Sequence, residues 1–279
     1  MMTKSRQWFG FLFSVTLSLC FLIQACSPSV PESTKLLLTG SSTVAPLMTA
    51  IAERYQITHP NVVIEVQTGG SNKGVEDVRT GANDIGMASR ALKPEEQDLT
   101  AFTVAQDGIA LVVHQSNRIQ TITPQQAVDI YTGNLSNWKT LGGDDSSITV
   151  LNKTANHATL ELFAKHFKLE PESIVADRLV GDNTEMIETI LENPSAIGYV
   201  SIGAAEYKIV NGIPLKMMSL EGVPATVQSV SKGVFPLSRP LNLITKEEPA
   251  GVKKEFIDFA RSPAVEDIVQ AQAFVQAQP

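Results

Sequence analysis

The chain has 279 residues, enough for one large domain or two smaller ones with cores of their own. Hydrophobic residues make up 43% and charged residues 18%, a globular balance, and the formal net charge of −7 with no basic stripe excludes a nucleic-acid surface. Cys20 and Cys26 both lie near the start, so the body from Ser27 onward has no disulfide framework, no thiolate metal site and no cysteine nucleophile.

Residues 1–25 read as an export signal. Lys4 and Arg6 precede an apolar run from Trp8 to Ile23, short for a membrane span. The run ends in Ile23-Gln24-Ala25-Cys26, the arrangement of a bacterial lipobox, with Cys26 as the lipidated residue. A plain signal peptide or an uncleaved anchor is the alternative. Residues 26–34, rich in Ser and Pro, read as a tether. Loss of Lys4 and Arg6 with the signal takes the net charge from −7 to −9.

Strands and helices then alternate. Lys35 to Thr39 reads as a strand. The helix after it has apolar residues at Val44, Leu47, Met48, Ile51, Ala52 and Tyr55, with Thr43 as N-cap. Asn61 to Gln67 is a strand, Asn72 to Thr80 a helix, and Asp84 to Ala88 a strand. Gly108 to His114 is an unbroken apolar run, as in a strand buried on both faces. Thr123–Tyr131, Thr159–Phe167, Thr184–Glu192 and Gly251–Arg261 have helical patterns; Ser147–Leu151, Ala196–Ser201 and Leu241–Thr245 read as strands. This alternation predicts α/β lobes with mostly parallel sheets, and such folds bind ligands where strands hand over to helices.

Three of those junctions carry hydroxyls at a helix start: Gly40-Ser41-Ser42-Thr43, Thr68-Gly69-Gly70-Ser71 and Gly181-Asp182-Asn183-Thr184. Unpaired N–H groups and the helix dipole make such ends anion sites, although any one of them could be a simple cap. Arg90, at a strand end, could offer a two-pronged fork to an oxyanion or form a surface ion pair. Asp107, just before the buried run, could accept a proton from an oxyanion or pair locally.

Taken together, these segments resemble the periplasmic phosphate-binding proteins of ABC transporters. The resemblance runs over most of the mature chain, through Gly40 to Pro46, Thr68 to Ser71, Asp84 to Arg90, Ile130 to Gly133, Asn137 to Lys139, Ala196 to Val200, Arg239 to Leu241 and Ser262-Pro263. It implies the type II two-lobed fold, mostly parallel sheets flanked by helices, with two crossovers at the hinge. Lobe one would be 35–112 plus 225–279 and lobe two 113–224. It also implies binding of phosphate or a related oxyanion between the lobes for delivery to an ABC permease, by a monomer with no cofactor and no metal, lipid-anchored in the periplasm or on the cell surface. Ser42, Thr43 and Ser71 match the family's anion ligands, and Arg90 stands at a ligand position. The family's second-lobe loop reads arginine, two variable residues, then Gly-Ser-Gly-Thr. Here Lys153 replaces the arginine, His157 the serine and Ala158 a glycine, while Thr159 is kept. Lysine offers a point charge where arginine offers a fork.

Two other readings compete. One is an enzyme such as a phosphatase or esterase, but no Gly-x-Ser-x-Gly elbow occurs and the four histidines form no zinc motif. The other is a lipid-anchored sensor or adhesion protein reusing the fold. Sulfate or molybdate remain alternative ligands, because phosphate selection calls for a proton acceptor, for which Asp107 is the candidate.

Overall fold

The computed structural model describes residues 33–277. The export segment, Cys26 and the tether up to residue 32 lie outside them. The described chain opens with β1 (Thr34–Gly40), α1 (Ala45–Thr58), β2 (Val62–Thr68), α2 (Ser71–Thr80) and β3 (Ile85–Ala88). It continues through β4 (Thr100–His114), β5 (Thr121–Ile122), α3 (Pro124–Tyr131), β6 (Thr149–Lys153), α4 (Ala158–Phe167), β7 (Arg178–Val180), α5 (Asn183–Glu192), β8 (Ala196–Ser201) and α6 (Ile202–Val210). The last elements are β9 (Leu215–Met217), β10 (Ser219–Leu220), α7 (Val227–Ser231), β11 (Ser238–Thr245), α8 (Gly251–Arg261), α9 (Glu266–Ala271) and β12 (Val275–Gln276).

The main sheet runs β2-β1-β3-β11-β4-β8-β6-β7, with β9 and β12 also on β4. Its two ends are parallel: β1 with β2 and β3, and β6 with β7 and β8. Its centre is antiparallel, where β11 and β4 pair with each other and with their outer neighbours. Two parallel α/β blocks are thus joined by two long antiparallel strands, and helices flank the sheet, as the α/β expectation requires.

Each block has its own core. Leu36, Leu38, Leu47, Met48, Ile51, Leu241 and Phe256 belong to one, and Val104 and Ala105 of β4 join them. Ile130, Trp138, Phe163, Tyr199 and Phe235 belong to the other, which takes Ile109, Ala110, Leu111 and Val113 from the far half of the same strand. The face of α1 expected from its apolar spacing is the buried one. Strand β4 starts eight residues earlier than its apolar run. Thr100 to Asp107 mix polar and apolar residues, and pairing with β11 holds them in the sheet. Helix α6 begins directly after β8, capped by the Ser201 hydroxyl, which accepts from Ala204 N.

Candidate functional site

Four chain segments meet where the two cores face each other. The loop from β1 to α1 brings Ser41, Ser42 and Thr43. The turn into α2 brings Gly70 and Ser71, the end of β3 brings Ser89, and the turn into α4 brings His157, Ala158 and Thr159. They line a tight cleft whose walls nearly touch, far too small for a nucleotide. Ser71 and Ala158 each open a ten-residue helix, so their amides have no acceptor within it and two positive helix ends converge.

The loops come this close because of two glycines. Gly40, at φ +135°, lets Ser41 N donate to Met87 O at 2.9 Å; a Cβ there would sit 2.2 Å from the same oxygen. Gly70, at φ +88°, lies against Asn156 across the cleft, where a Cβ would meet the Asn156 carbonyl at 2.3 Å. Thr43 does not cap α1, whose N-cap is Val44 with no side-chain cap; the Ser41 hydroxyl accepts from Thr43 N and Val44 N in the turn before the helix. The Thr43 hydroxyl is therefore free of the helix.

Behind the hydroxyls sits Arg239, 2% exposed. It pairs in register with Asp107 across β11 and β4. Its Nε and one Nη donate to the Asp107 carboxylate at 3.1 and 2.9 Å. The remaining N–H groups donate to the hydroxyls of Thr43 (3.2 Å), Ser89 (3.2 Å) and Thr159 (3.0 Å). Thr43 Oγ1 also accepts from Asn183 Nδ2 at 3.2 Å. A hydroxyl that accepts from a cation still has its own hydrogen to donate. One buried cation thus polarises three hydroxyls of the cleft wall and leaves their hydrogens for an anion, that of Ser89 also having Ser71 Oγ at 3.4 Å.

Of the eight expected binding residues, Ser42, Thr43, Ser71, His157 and Thr159 line the cleft. Arg90, Asp107 and Lys153 do not. Arg90 turns away: its guanidinium grips the Glu96 carboxylate at 2.6 and 2.8 Å and donates to Asn72 Oδ1 at 3.0 Å. Asp107 is held by Arg239 and by Gly203 N at 3.2 Å, so it orients a cation behind the cleft and is not placed to accept from a ligand. Lys153 is buried behind His157, and its Nζ donates to the Asp182 carbonyl. Burial pushes its pKa down to about 7, against the pull of Asp182, and the Arg239 charge pushes the same way. The His157 ring is also held below its ordinary pKa, first by burial and then by the Lys153 charge.

Arg239 and Ser89 are the central residues that pattern reading missed as ligand partners. The signal was present: an arginine among the apolar residues leading into and along β11 needs a buried counter-charge, and Asp107 beside an apolar run needs the same. The third hydroxyl junction serves differently. Asp182 caps α5, and Asn183 and Thr184 line a neighbouring cavity of about 300 Å³ that shares Ser42 and Thr43. A larger cavity, about 750 Å³, lies apart, between Asp258, Arg261, Glu266 and the segment around β12, and shares no residue with the cleft.

Residues 27–264 match the PBP superfamily domain. The phosphate-binding protein PstS of Bacillus subtilis is 30% identical over 249 residues, spanning 87% of this chain and 81% of that protein. This chain belongs to the PstS family. The PstS protein of Borreliella burgdorferi is 28% identical, over 85% of this chain and 88% of its own. Among solved structures, a Clostridium perfringens protein described as a phosphate ABC transporter substrate-binding protein with bound phosphate superposes with a TM-score of 0.82. It is 32% identical and covers 88% of this chain and 100% of its own. An ABC-type phosphate transport receptor from Vibrio cholerae gives 0.69 at 29% identity with the same coverage. The PstS family thus accounts for the type II fold. Among the described residues, no helix is long and apolar enough to cross a membrane.

Proposed function

We propose that this chain binds inorganic phosphate in the cleft and delivers it to an ABC permease, as an exported monomer held to a membrane by lipid on Cys26. The observation that carries the reading is the ring of Thr43, Ser89 and Thr159 hydroxyls polarised by Arg239, with the open ends of α2 and α4 beside it. Micromolar binding requires about 8 kcal/mol. Hydrogen bonds to a charged group contribute about 1.5–3 kcal/mol each. Four or five such donors, less the cost of closure, are sufficient.

The two cores are the two lobes of this reading; Ile109 to Leu111 and Ala225 to Leu237 pack in the second core, so the crossings fall near Gly108 in β4 and just before Ser238 in β11 and not at the expected bounds of 112 and 225. Function is binding without chemistry. The Thr43, Ser89 and Thr159 hydroxyls accept from a guanidinium, and among the described residues none of the three donates to a base. His157 Nδ1 faces Thr154, not a serine. The lobes close on the anion and present the closed face to the permease.

The engagement of Asp107 by Arg239 keeps a second reading in view, a fully deprotonated oxyanion such as sulfate or molybdate. Calorimetric titration of residues 27–279 with phosphate, sulfate and molybdate at pH 6 and pH 8 tests both. Micromolar phosphate binding without sulfate competition is expected. Tighter sulfate or molybdate binding would move the assignment to that anion. No heat from folded protein with any of them would leave the sensor or adhesion reading.

A further inference from the structure

We propose that His157 tells phosphate from sulfate, its Nε2 accepting the proton that phosphate carries and sulfate lacks. The inference rests on the phosphate reading and adds to it the residue that sets selectivity.

At neutral pH phosphate keeps at least one proton and sulfate none. A cleft made only of donors holds both alike, so discrimination needs an acceptor facing the anion. The hydroxyls of Thr43, Ser89 and Thr159 already accept from Arg239. The helix-end amides are donors. The nearby carboxylates are engaged elsewhere. Asp107 holds Arg239, Asp182 caps α5 through Glu185 N, and Glu161 takes Lys93 Nζ and Asn72 Nδ2 at 2.9 and 2.8 Å.

The Ser42 and Ser71 hydroxyls also line the wall, but a hydroxyl can turn to donate and so serves either anion. A neutral ring nitrogen with a lone pair can only accept, and His157 is the wall residue that offers one. Its Nδ1 lies 3.3 Å from the Thr154 carbonyl and 3.0 Å from the Thr154 hydroxyl. The Thr154 hydroxyl can take either role but the carbonyl can only accept, so a hydrogen on Nδ1 serves both; in that tautomer, which the proposal requires, Nε2 keeps its lone pair. Among the described residues Nε2 has no hydrogen-bond partner. The charged groups acting on the ring are Lys153 from β6 and Asp182 at the start of α5. Burial and Lys153 favour the neutral form, against the pull of Asp182 and of the Thr154 carbonyl. A neutral Nδ1–H ring thus does what a carboxylate would do, without placing a second negative charge against the anion.

The test uses the protein starting at Ser27. Two-bond 15N–1H correlation spectra read the tautomer of each of the four histidines, with H157L assigning the resonance that disappears. The Nδ1–H form of His157 is expected with phosphate bound. In parallel, calorimetry compares phosphate and sulfate on the wild type and on H157L. Wild type is expected to prefer phosphate by at least a hundredfold. H157L should lose about ten- to a hundredfold in phosphate affinity, the range for one hydrogen bond to a charged partner, with sulfate unchanged or tighter.

An Nε2–H or doubly protonated ring in the phosphate complex overturns the proposal, and the spectra decide this even if H157L folds poorly. An equal loss for both anions overturns it too. Wild-type protein that binds phosphate without discriminating against sulfate sinks the His157 assignment alone. Folded wild-type protein that binds no phosphate sinks the transport reading with it.

Discussion

All five N–H groups of Arg239 are engaged, two by Asp107 and one each by Thr43, Ser89 and Thr159. No atom of Arg239 lines the cleft, yet the donor pattern of the cleft follows from it. Replacing one member of a buried ion pair leaves the other uncompensated, at about 3–5 kcal/mol. R239M is therefore expected to lower the unfolding free energy by that amount and to weaken phosphate binding at least a hundredfold. The double variant D107L/R239M removes both charges and should recover most of the stability in urea melts but none of the binding. Binding restored with stability would show that Arg239 acts only as a structural pair. Lys153 makes a separate residue-scale case. Its pKa lies near 7 in the folded protein against 10.5 in the open chain. The unfolded state thus binds more protons between those values, and stability rises with pH across that window. Below about pH 7 both states are charged and the burial cost is present in full. K153M removes that cost, and the Asp182 carbonyl it vacates still accepts from Met186 N. The variant should be more stable than wild type at pH 6–7, by several kcal/mol at most. Its advantage should shrink by about 1.4 kcal/mol per unit as pH rises from 7 toward 10. A constant difference across that range would place the Lys153 pKa elsewhere.

At the scale of elements, the strand–turn–helix junctions were legible because glycine and hydroxyl residues announce a helix start. The turns into α1 and α2 both lie in the cleft wall. The turn into α4 was legible only through family likeness, since Lys153 to Thr159 carries no glycine. Roles were less legible than positions. Arg90 looks like an anion ligand until the bidentate partner Glu96 is seen, and Glu96 lies in a short 3₁₀ turn that periodicity does not mark. Asp107 and Arg239 are 132 positions apart in sequence, and only the β4–β11 register joins them. The first half of β4 and all of α6 escaped pattern reading because polar residues and Gly203 interrupt their periodicity. The Gly70 turn yields a prediction at this scale. Alanine there would be strained at φ +88° and would press a Cβ to 2.3 Å from Asn156 O. The α2 turn and the 154–157 loop would be forced apart. G70A is expected to remain folded, with a loss of about 1–3 kcal/mol for the strained backbone, and to bind phosphate at least tenfold more weakly. Unaltered affinity would mean that the loops need not touch for the anion to be held.

Across the whole molecule, the cleft draws on both cores. Thr43, Ser71 and Ser89 hang on the block built around β1 and β3, while His157 and Thr159 hang on the block built around β6 and β8. Arg239 and Asp107 sit between, on the two strands that pass from one block to the other. Contacts beyond the anion also bridge the mouth: Glu161 of α4 meets Lys93 Nζ at 2.9 Å, Asn72 Nδ2 at 2.8 Å and Arg90 Nε at 3.4 Å. The buried Arg90 is already committed to Glu96, while Lys93 and Glu161 are partly exposed, and such pairs contribute about 0–1 kcal/mol each. They can align the blocks but cannot hold them closed alone, so closure should depend on the ligand. A ligand that binds only the native state at a hundred times its Kd adds about 2.7 kcal/mol of stability. For a chain of this size that corresponds to a Tm rise of about 5–10 °C. Calorimetric melts should show that rise with phosphate, in one transition, because the anion ties both cores to the same event. Small-angle scattering should show a smaller radius of gyration with phosphate than without it. E161A should keep the thermal shift at saturating phosphate yet reach half of it at a several-fold higher concentration. Two separated transitions in saturating phosphate would show instead that the anion is held by one block, and that the facing hydroxyls of the other contribute little to its binding.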